Sequence, residues 1–383
     1  MMANGHLVAR AGGLHPPPSV VLSWPRPNHV NPETRGSAAP YTLIILLVLT
    51  LIVYTARMWA RLVVAKNAGL DDALMSVAMI LVVGSTIAVV LGISQYGFQW
   101  HAWDQTKETL VTTRQITLAI ELLYLAATTL IKISILCFYR RLASGSLSKT
   151  FLYCVQCSIT VFALHGIAFS FVIMFSYSPI EGFWRIYDVA WRAENRMTSL
   201  DEGAIIIAVT VLGTIHDIIV CALPIILVWN LRINRRQKTG LTIIFGAGVL
   251  CCICGAMRTY YAIYVYHYTY DITWWAFHGW IWTALEADLG IICASAPALK
   301  VFFRRYFNHG IGGSSLREKT WYGRAKSSIK VQDDGENIDE TPLNRIIVSH
   351  SHHVTSQTRE EIWSDGSYAS TKAFNGLPRR DKF

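Results

Sequence analysis

Glu121, Asp217, Arg258 and Glu286 each lie well inside a long apolar run. A charge held in hydrocarbon is costly, so side chains of this kind turn towards the interior of a helix bundle and carry function. Three carboxyls and one guanidinium are a short list of tools. They can hold a polar group of a ligand, pass a proton, or pair with one another and fix two helices in register. Counted from the ends of their helices, the four fall at similar depth, roughly 10–20 Å in at 1.5 Å per residue. Antiparallel helices need not agree in this way, and one polar layer is expected.

Helical faces extend the layer. Glu121, Tyr124, Thr128 and Lys132 form one stripe. Gly213, Asp217, Cys221 and Pro224 form a second, small and polar enough for close helix approach. Glu286, Gly290, Cys293 and Pro297 form a third. Pro224 and Pro297 each remove a backbone donor and are candidate helix kinks. Depth places Lys132 about 27 Å into its span, near the far boundary, where it is expected to snorkel rather than join the layer. His216 and Asp288 point away from the stripes.

Several chemistries are disfavoured. A retinal Schiff base needs a lysine amine in mid-bundle, and the last helix offers only Lys300, at its end. Zinc chemistry needs clustered ligands. His165, His216 and His278 stand on separate helices, and Cys251, Cys252 and Cys254 point in different directions on one. No metal and no cofactor is expected. The formal charge of +9 is divided among short loops, which does not make a nucleic-acid surface.

The elements that must position these residues are membrane helices. Of 383 residues, 52% are hydrophobic and 15% charged, against about 25% charged in soluble domains; the mean hydropathy is +0.35. The apolar residues gather in runs long enough to cross a hydrocarbon core of about 30 Å. Seven spans are predicted, at residues 41–60, 73–94, 114–138, 151–175, 204–229, 241–265 and 275–303. The fold class is all-α, a polytopic seven-transmembrane-helix bundle. Arg57, Arg61 and Lys66 mark the first loop, Arg140, Arg141 and Lys149 the third, and Arg232, Arg235, Arg236 and Lys238 the fifth. The even loops are acidic or mixed. By the positive-inside rule the N-terminus is outside and the C-terminus cytosolic. Trp100, Trp103, Trp274, Trp275 and Trp280 are placed as interfacial anchors.

Three segments follow. Residues 1–40 carry seven prolines and are expected to be a disordered exterior arm, with the first span acting as signal anchor. Residues 41–305 form the membrane domain. Residues 306–383 are polar and expected to be a disordered cytosolic tail. All eight cysteines fall in the spans. Asp71 and Asp72 read as acids capping the second helix, and Arg57 and Arg61 as topology and headgroup contacts.

An ordered set of motifs runs through the membrane part. It comprises Arg57-Met58-Trp59-Ala60-Arg61, Gly69-Leu70-Asp71-Asp72, Tyr96 to Asp104, and Lys132-Ile133-Ser134 with Tyr139-Arg140-Arg141. It continues with Asp217, Leu223-Pro224, Trp229 and Leu231, then Arg235-Arg236-Gln237-Lys238, and ends with Trp282, Glu286, Gly290 and Pro297. Over residues 41–305 this set resembles the fungal rhodopsin-like integral membrane family, of the satratoxin-cluster and receptor-like type. The resemblance implies a fungal source and one of two roles, a receptor or an accessory of secondary-metabolite biosynthesis. Members often carry a cysteine before the proline of the fourth loop and another later in it; here Tyr177 precedes Pro179 and neither cysteine is present. A disulfide-closed fourth loop is therefore not expected.

Two functions stay open. One is a sensor or accessory protein whose polar layer receives an unknown small lipophilic ligand, with the basic loops and tail available to a cytosolic partner. The other is a membrane-bound enzyme in which Glu121, Asp217 or Glu286 donates a proton to a lipophilic substrate, as terpene-type cyclisation requires. Transport is disfavoured by the lack of an internal repeat. Membrane lipid is the expected surrounding.

Overall fold

A computed structural model describes the backbone of residues 12–143, 149–229 and 235–306. The expected tail lies outside the described residues. Seven long helices are described: α1 (Ala38–Trp59), α2 (Leu70–Ser94), α3 (Lys107–Ala143), α4 (Lys149–Met174), α5 (Glu202–Trp229), α6 (Arg235–His267) and α7 (Ile272–Tyr306). A π-helical turn, Ala60–Val64, prolongs α1. Six of the seven hold a stretch long and apolar enough to cross a membrane. The seventh, α7, is diluted by His278, Glu286, Asp288 and four tryptophans. Most helices overrun their predicted spans. α3, for example, begins seven residues before the predicted residue 114, because the polar first turns that hydropathy rejects still satisfy their backbone in helix.

The bundle is apolar outside and polar within. Ile45, Ile52, Leu164, Ile167, Phe171 and Ile218 are exposed, whereas Thr50, Thr128, Ser134, His216 and Ser295 are buried. That is the reverse of a water-soluble domain and fits a lipid surround. α3 is the central helix and packs on α2, α4, α5 and α7, while α7 also closes back onto α1. Met75, Met79 and Val82 of α2, Ile131 of α3 and Ile291 of α7 form the largest apolar cluster. Between helices already in lipid the gain comes from close packing rather than from leaving water.

The segment between α4 and α5 is ordered without a disulfide. β1 (Tyr177–Ser178) pairs antiparallel with β2 (Thr198–Ser199), with Tyr177 opposite Ser199. Tyr177, Phe183 and Ile186 form a small core beneath the ribbon. α5 and α7 run through Pro224 and Pro297 without leaving the helix.

The proline-rich arm differs from expectation over residues 12–37. Asp104 accepts from the Asn28 amide at 2.8 Å, and Gly13 N donates to the Thr269 carbonyl at 2.9 Å. The Arg35 guanidinium sits 4.0 Å over the Trp274 ring. Trp274 and Trp103 in turn sandwich His101, at 3.9 and 4.4 Å, and His101 bonds Asp271 at 2.5 Å. These rings, expected as interfacial anchors, fasten the arm to the loops.

Candidate functional site

Two ion pairs occupy the middle of the bundle. Arg258 Nε donates to Glu286 Oε2 at 2.7 Å and Nη2 to Oε1 at 3.4 Å, joining α6 to α7. The guanidinium lies 4.9 Å over the Tyr124 ring of α3. The second pair joins α3 to α5: Lys132 Nζ stands 3.0 Å from Asp217 Oδ1 and donates to the Gly213 carbonyl at 2.9 Å. All four charged residues are buried.

Lys132 is therefore a member of the layer, which corrects the depth argument made from sequence. Helical side chains lean towards the N-terminal end of their own helix. On α3 that carries the amine back from its Cα into the bundle, and a four-carbon stem supplies the reach.

Glycines let the two pairs meet. A Cβ on Gly255 would stand 3.0 Å from Thr214 Oγ1, 3.4 Å from Asp217 Oδ2 and 3.6 Å from Glu286 Oε2. A Cβ on Gly213 would stand 3.0 Å from Arg258 Nη2. Asp217 Oδ2 has no hydrogen-bond partner. The two carboxylates thus share the bare face of Gly255, within reach of both cations. Gly255→Ala is expected to lower the unfolding midpoint of the full chain in lipid nanodiscs, at a cost of about 1–3 kcal/mol. Gly246→Ala, where a Cβ meets open space, is the matched control and should shift it little. Equal shifts would show that the glycine face is not needed.

Glu121 departs from the single-layer expectation. It does not contact Arg258–Glu286. The charges acting on it are those of Glu202 and Arg114, a pair nearer the start of α3 and α5. One oxygen, Oε2, is sealed and without a partner. Glu121 does border a cavity of about 100 Å³ that Tyr124, Arg258, Tyr261, Tyr266 and Trp280 also line. The structure thus brings Asp217, Arg258 and Glu286 together, with Glu121 across a cavity from them. His216 stacks on Phe162 at 3.9 Å and, with His165, lines a small cavity bordered by Lys132 and Arg258, which corrects its expected position away from the layer. Asp288 is buried against α1 beside Thr50.

The Arg114–Glu202 pair was not foreseen. Arg114 Nη1 and Nη2 reach Glu202 Oε1 and Oε2 at 2.8 and 2.6 Å, and Arg114 Nε donates to the Phe183 carbonyl at 3.1 Å. The Tyr177 and Tyr266 hydroxyls also donate to Glu202, at 2.9 and 3.0 Å. Each residue sits at the polar margin of its apolar run, where sequence reads a boundary. Beyond the Tyr266 and Trp280 wall lies a second cavity, of about 160 Å³, roofed by Leu14, Pro16 and Trp24 of the arm.

At the opposite end, Arg57, Asp71 and Asp72, expected as a topology signal and caps, are buried. Asp72 Oδ2 does accept from the Gly69 amide at 3.3 Å, as a cap should. Arg57, only 2% exposed, donates to Asp72 Oδ1 at 3.0 Å and to the Ala294 carbonyl of α7. Arg61 and Arg141 reach Asp71 at 3.2 and 3.3 Å. This lattice ties α1, α2, α3 and α7.

Comparison with known proteins finds fungal relatives. Receptor GIN3 of Arthrobotrys oligospora is 26% identical over 267 residues, 68% of this chain and 60% of that protein. A SAT4 family membrane protein of Emericella nidulans is 27% identical over 202 residues, 48% of each chain. Satratoxin biosynthesis SC1 cluster protein 4 of Stachybotrys chartarum is 24% identical over 216 residues, 54% of this chain and 75% of that protein. The chain thus spans 60% and 48% of the length of the first two. No solved structure matches. The fungal rhodopsin domain matches residues 56–305, which hold the Arg57–Asp72, Arg114–Glu202, Lys132–Asp217 and Arg258–Glu286 pairs, and the chain belongs to that family.

Proposed function

We propose that this chain is a seven-span membrane sensor, receptor-like or accessory to secondary-metabolite biosynthesis, with its N-terminus outside and its C-terminus cytosolic. The basic odd loops support that orientation. The names borne by the relatives, a receptor and a biosynthesis-cluster protein, support the choice of role. The observation that carries the reading is the Glu121 cavity, whose wall includes Arg258 and Tyr124. A small lipophilic ligand there touches the guanidinium that holds α6 to α7. A ligand's occupancy there is then coupled to the ion pair that joins the two helices, which is what a switch requires.

A second reading, acid-catalysed conversion of a lipophilic substrate, draws on the same cavity. A carboxyl among Tyr261, Tyr266 and Trp280 offers a proton beside π faces. One experiment separates them. Strains lacking the native gene receive the wild-type chain, Asp217→Asn or Glu286→Gln, and metabolite profiles and responses are compared. The sensor reading predicts a response reduced at least tenfold in the variants, with many products changed together. Build-up of a single precursor that wild-type membranes convert in vitro would replace it with the enzyme reading. Unchanged profiles and responses would remove the polar layer from function altogether.

A further inference from the structure

We propose that the Glu121 cavity takes a compact lipophilic amine, bound as its ammonium ion with Glu121 as the anchor. The assignment rests on the sensor reading and gives its ligand a chemical class.

The charge count comes first. Lys132 is matched by Asp217 at 3.0 Å, Arg258 by Glu286 at 2.7 Å and Arg114 by Glu202 at 2.6 Å. Each cation around the cavity has an acid of its own. Glu121 is the acid left over on the cavity wall, with Oε2 unpartnered among the described residues. A cation brought by a ligand completes the count.

The hydroxyls point the same way. Thr210 and Thr283 line the cavity, but their protons are spent on the Ile207 and Gly279 carbonyls, at 2.9 and 2.8 Å. A hydroxyl that donates to its own helix presents lone pairs to its surroundings. The Tyr266 proton is likewise spent, on Glu202 at 3.0 Å, outside the cavity. Arg258, the charged donor on the wall, is committed to Glu286 and stacked on Tyr124. Trp280 Nε1 and the Tyr124 hydroxyl on the wall remain unpartnered donors, so it is the unmatched acid with the two threonine lone pairs, not a shortage of donors, that favours a cation. An ammonium has three donors and no acceptor.

The remaining wall is aromatic. The rings of Tyr261, Tyr266 and Trp280 line the cavity, and an aromatic face attracts a cation. A carboxylate ligand would meet the unmatched Glu121 carboxyl and the two threonine lone pairs.

The test is equilibrium binding to the full-length chain in lipid nanodiscs. The probes are phenethylamine and tryptamine, their neutral counterparts 2-phenylethanol and tryptophol, and the acids phenylacetate and indole-3-acetate. Both amines should bind saturably, about tenfold or more tighter than the alcohols, and the acids should not bind. Glu121→Gln should abolish the amine preference. It should fold, since it replaces an acid that has no cation to strand. Should it nonetheless fail to fold, Thr283→Val supplies the decision, and is expected to weaken amines a few-fold while leaving alcohols unchanged. Alcohols binding as well as amines, an amine preference surviving in Glu121→Gln or Thr283→Val, or no saturable amine binding at all would each overturn the assignment. None of these touches the sensor reading, which the metabolite and response profiles decide separately.

Discussion

Lys132→Met should be among the most damaging single changes in the membrane domain, costing about 3–5 kcal/mol of stability in lipid. Its amine stands 3.0 Å from Asp217 and 2.9 Å from the Gly213 carbonyl. Asp217 already has one oxygen without a partner. Removing the amine leaves the carboxylate buried with neither oxygen compensated. It also stands close to Glu286 across the Gly255 face, so the loss adds repulsion between two acids. The double variant Lys132→Met/Asp217→Leu should recover most of the loss, because an apolar pair of similar volume replaces an ion pair at little net cost. Thermal unfolding of the four proteins in nanodiscs closes the cycle, and a coupling above about 1 kcal/mol is expected. A single variant within about 0.5 kcal/mol of wild type would restore the other view of Lys132, as a lysine snorkelling to the headgroups.

That other view came from counting residues along a helix axis, and it shows where sequence reading stopped. Axis depth is legible; side-chain reach is not. Asp217, Arg258 and Glu286 stood out because each interrupts an apolar run, and the structure gathers them. Lys132 interrupts one equally, but its distance from the helix start argued it away. Arg114 and Glu202 failed for a different reason. Each lies where a span begins, and a charge at that place is ordinary for a membrane helix. The signal available was relational: two opposite charges, each opening a helix at the same end of the bundle. Arg57 and Asp72 were hidden by sufficient local explanations, topology for one and helix capping for the other. Both explanations describe one residue at a time, whereas Arg57 spans from Asp72 to a carbonyl 237 positions away.

Six of the spans were legible because hydrocarbon imposes a length, with their ends misplaced, whereas α7 is a long helix without a stretch as long and apolar among the described residues. The arm was not legible, because proline-rich sequence has no period. Its order comes from single contacts such as Asn28 to Asp104 and Arg35 over Trp274. No composition rule anticipates them.

Glu202→Gln is expected to be comparably severe, about 3–5 kcal/mol, with a different signature. Two carboxylate oxygens there accept from both Arg114 Nη atoms and from the Tyr177 and Tyr266 hydroxyls, all between 2.6 and 3.0 Å. An amide keeps the shape but turns one acceptor into a donor facing donors. It also strands the buried Arg114. Neutralising both partners, as Arg114→Met/Glu202→Leu, should recover only part of the loss. The two tyrosine hydroxyls and the Phe183 carbonyl then lose their partners, and each buried polar group left unmade costs about 1–3 kcal/mol. This separates a pair that can be swapped for apolar packing from a hub that cannot. Hydrogen exchange gives the local reading. Protection should fall across residues 176–200, because Arg114 holds the Phe183 carbonyl and Glu202 holds Tyr177 of β1. Lys132→Met should leave that segment protected. Tyr266 joins the hub to the cavity wall, so freeing it should also weaken amine binding at Glu121, more than Lys132→Met does. Unchanged protection of residues 176–200 in Glu202→Gln would mean that the ribbon stands without the hub.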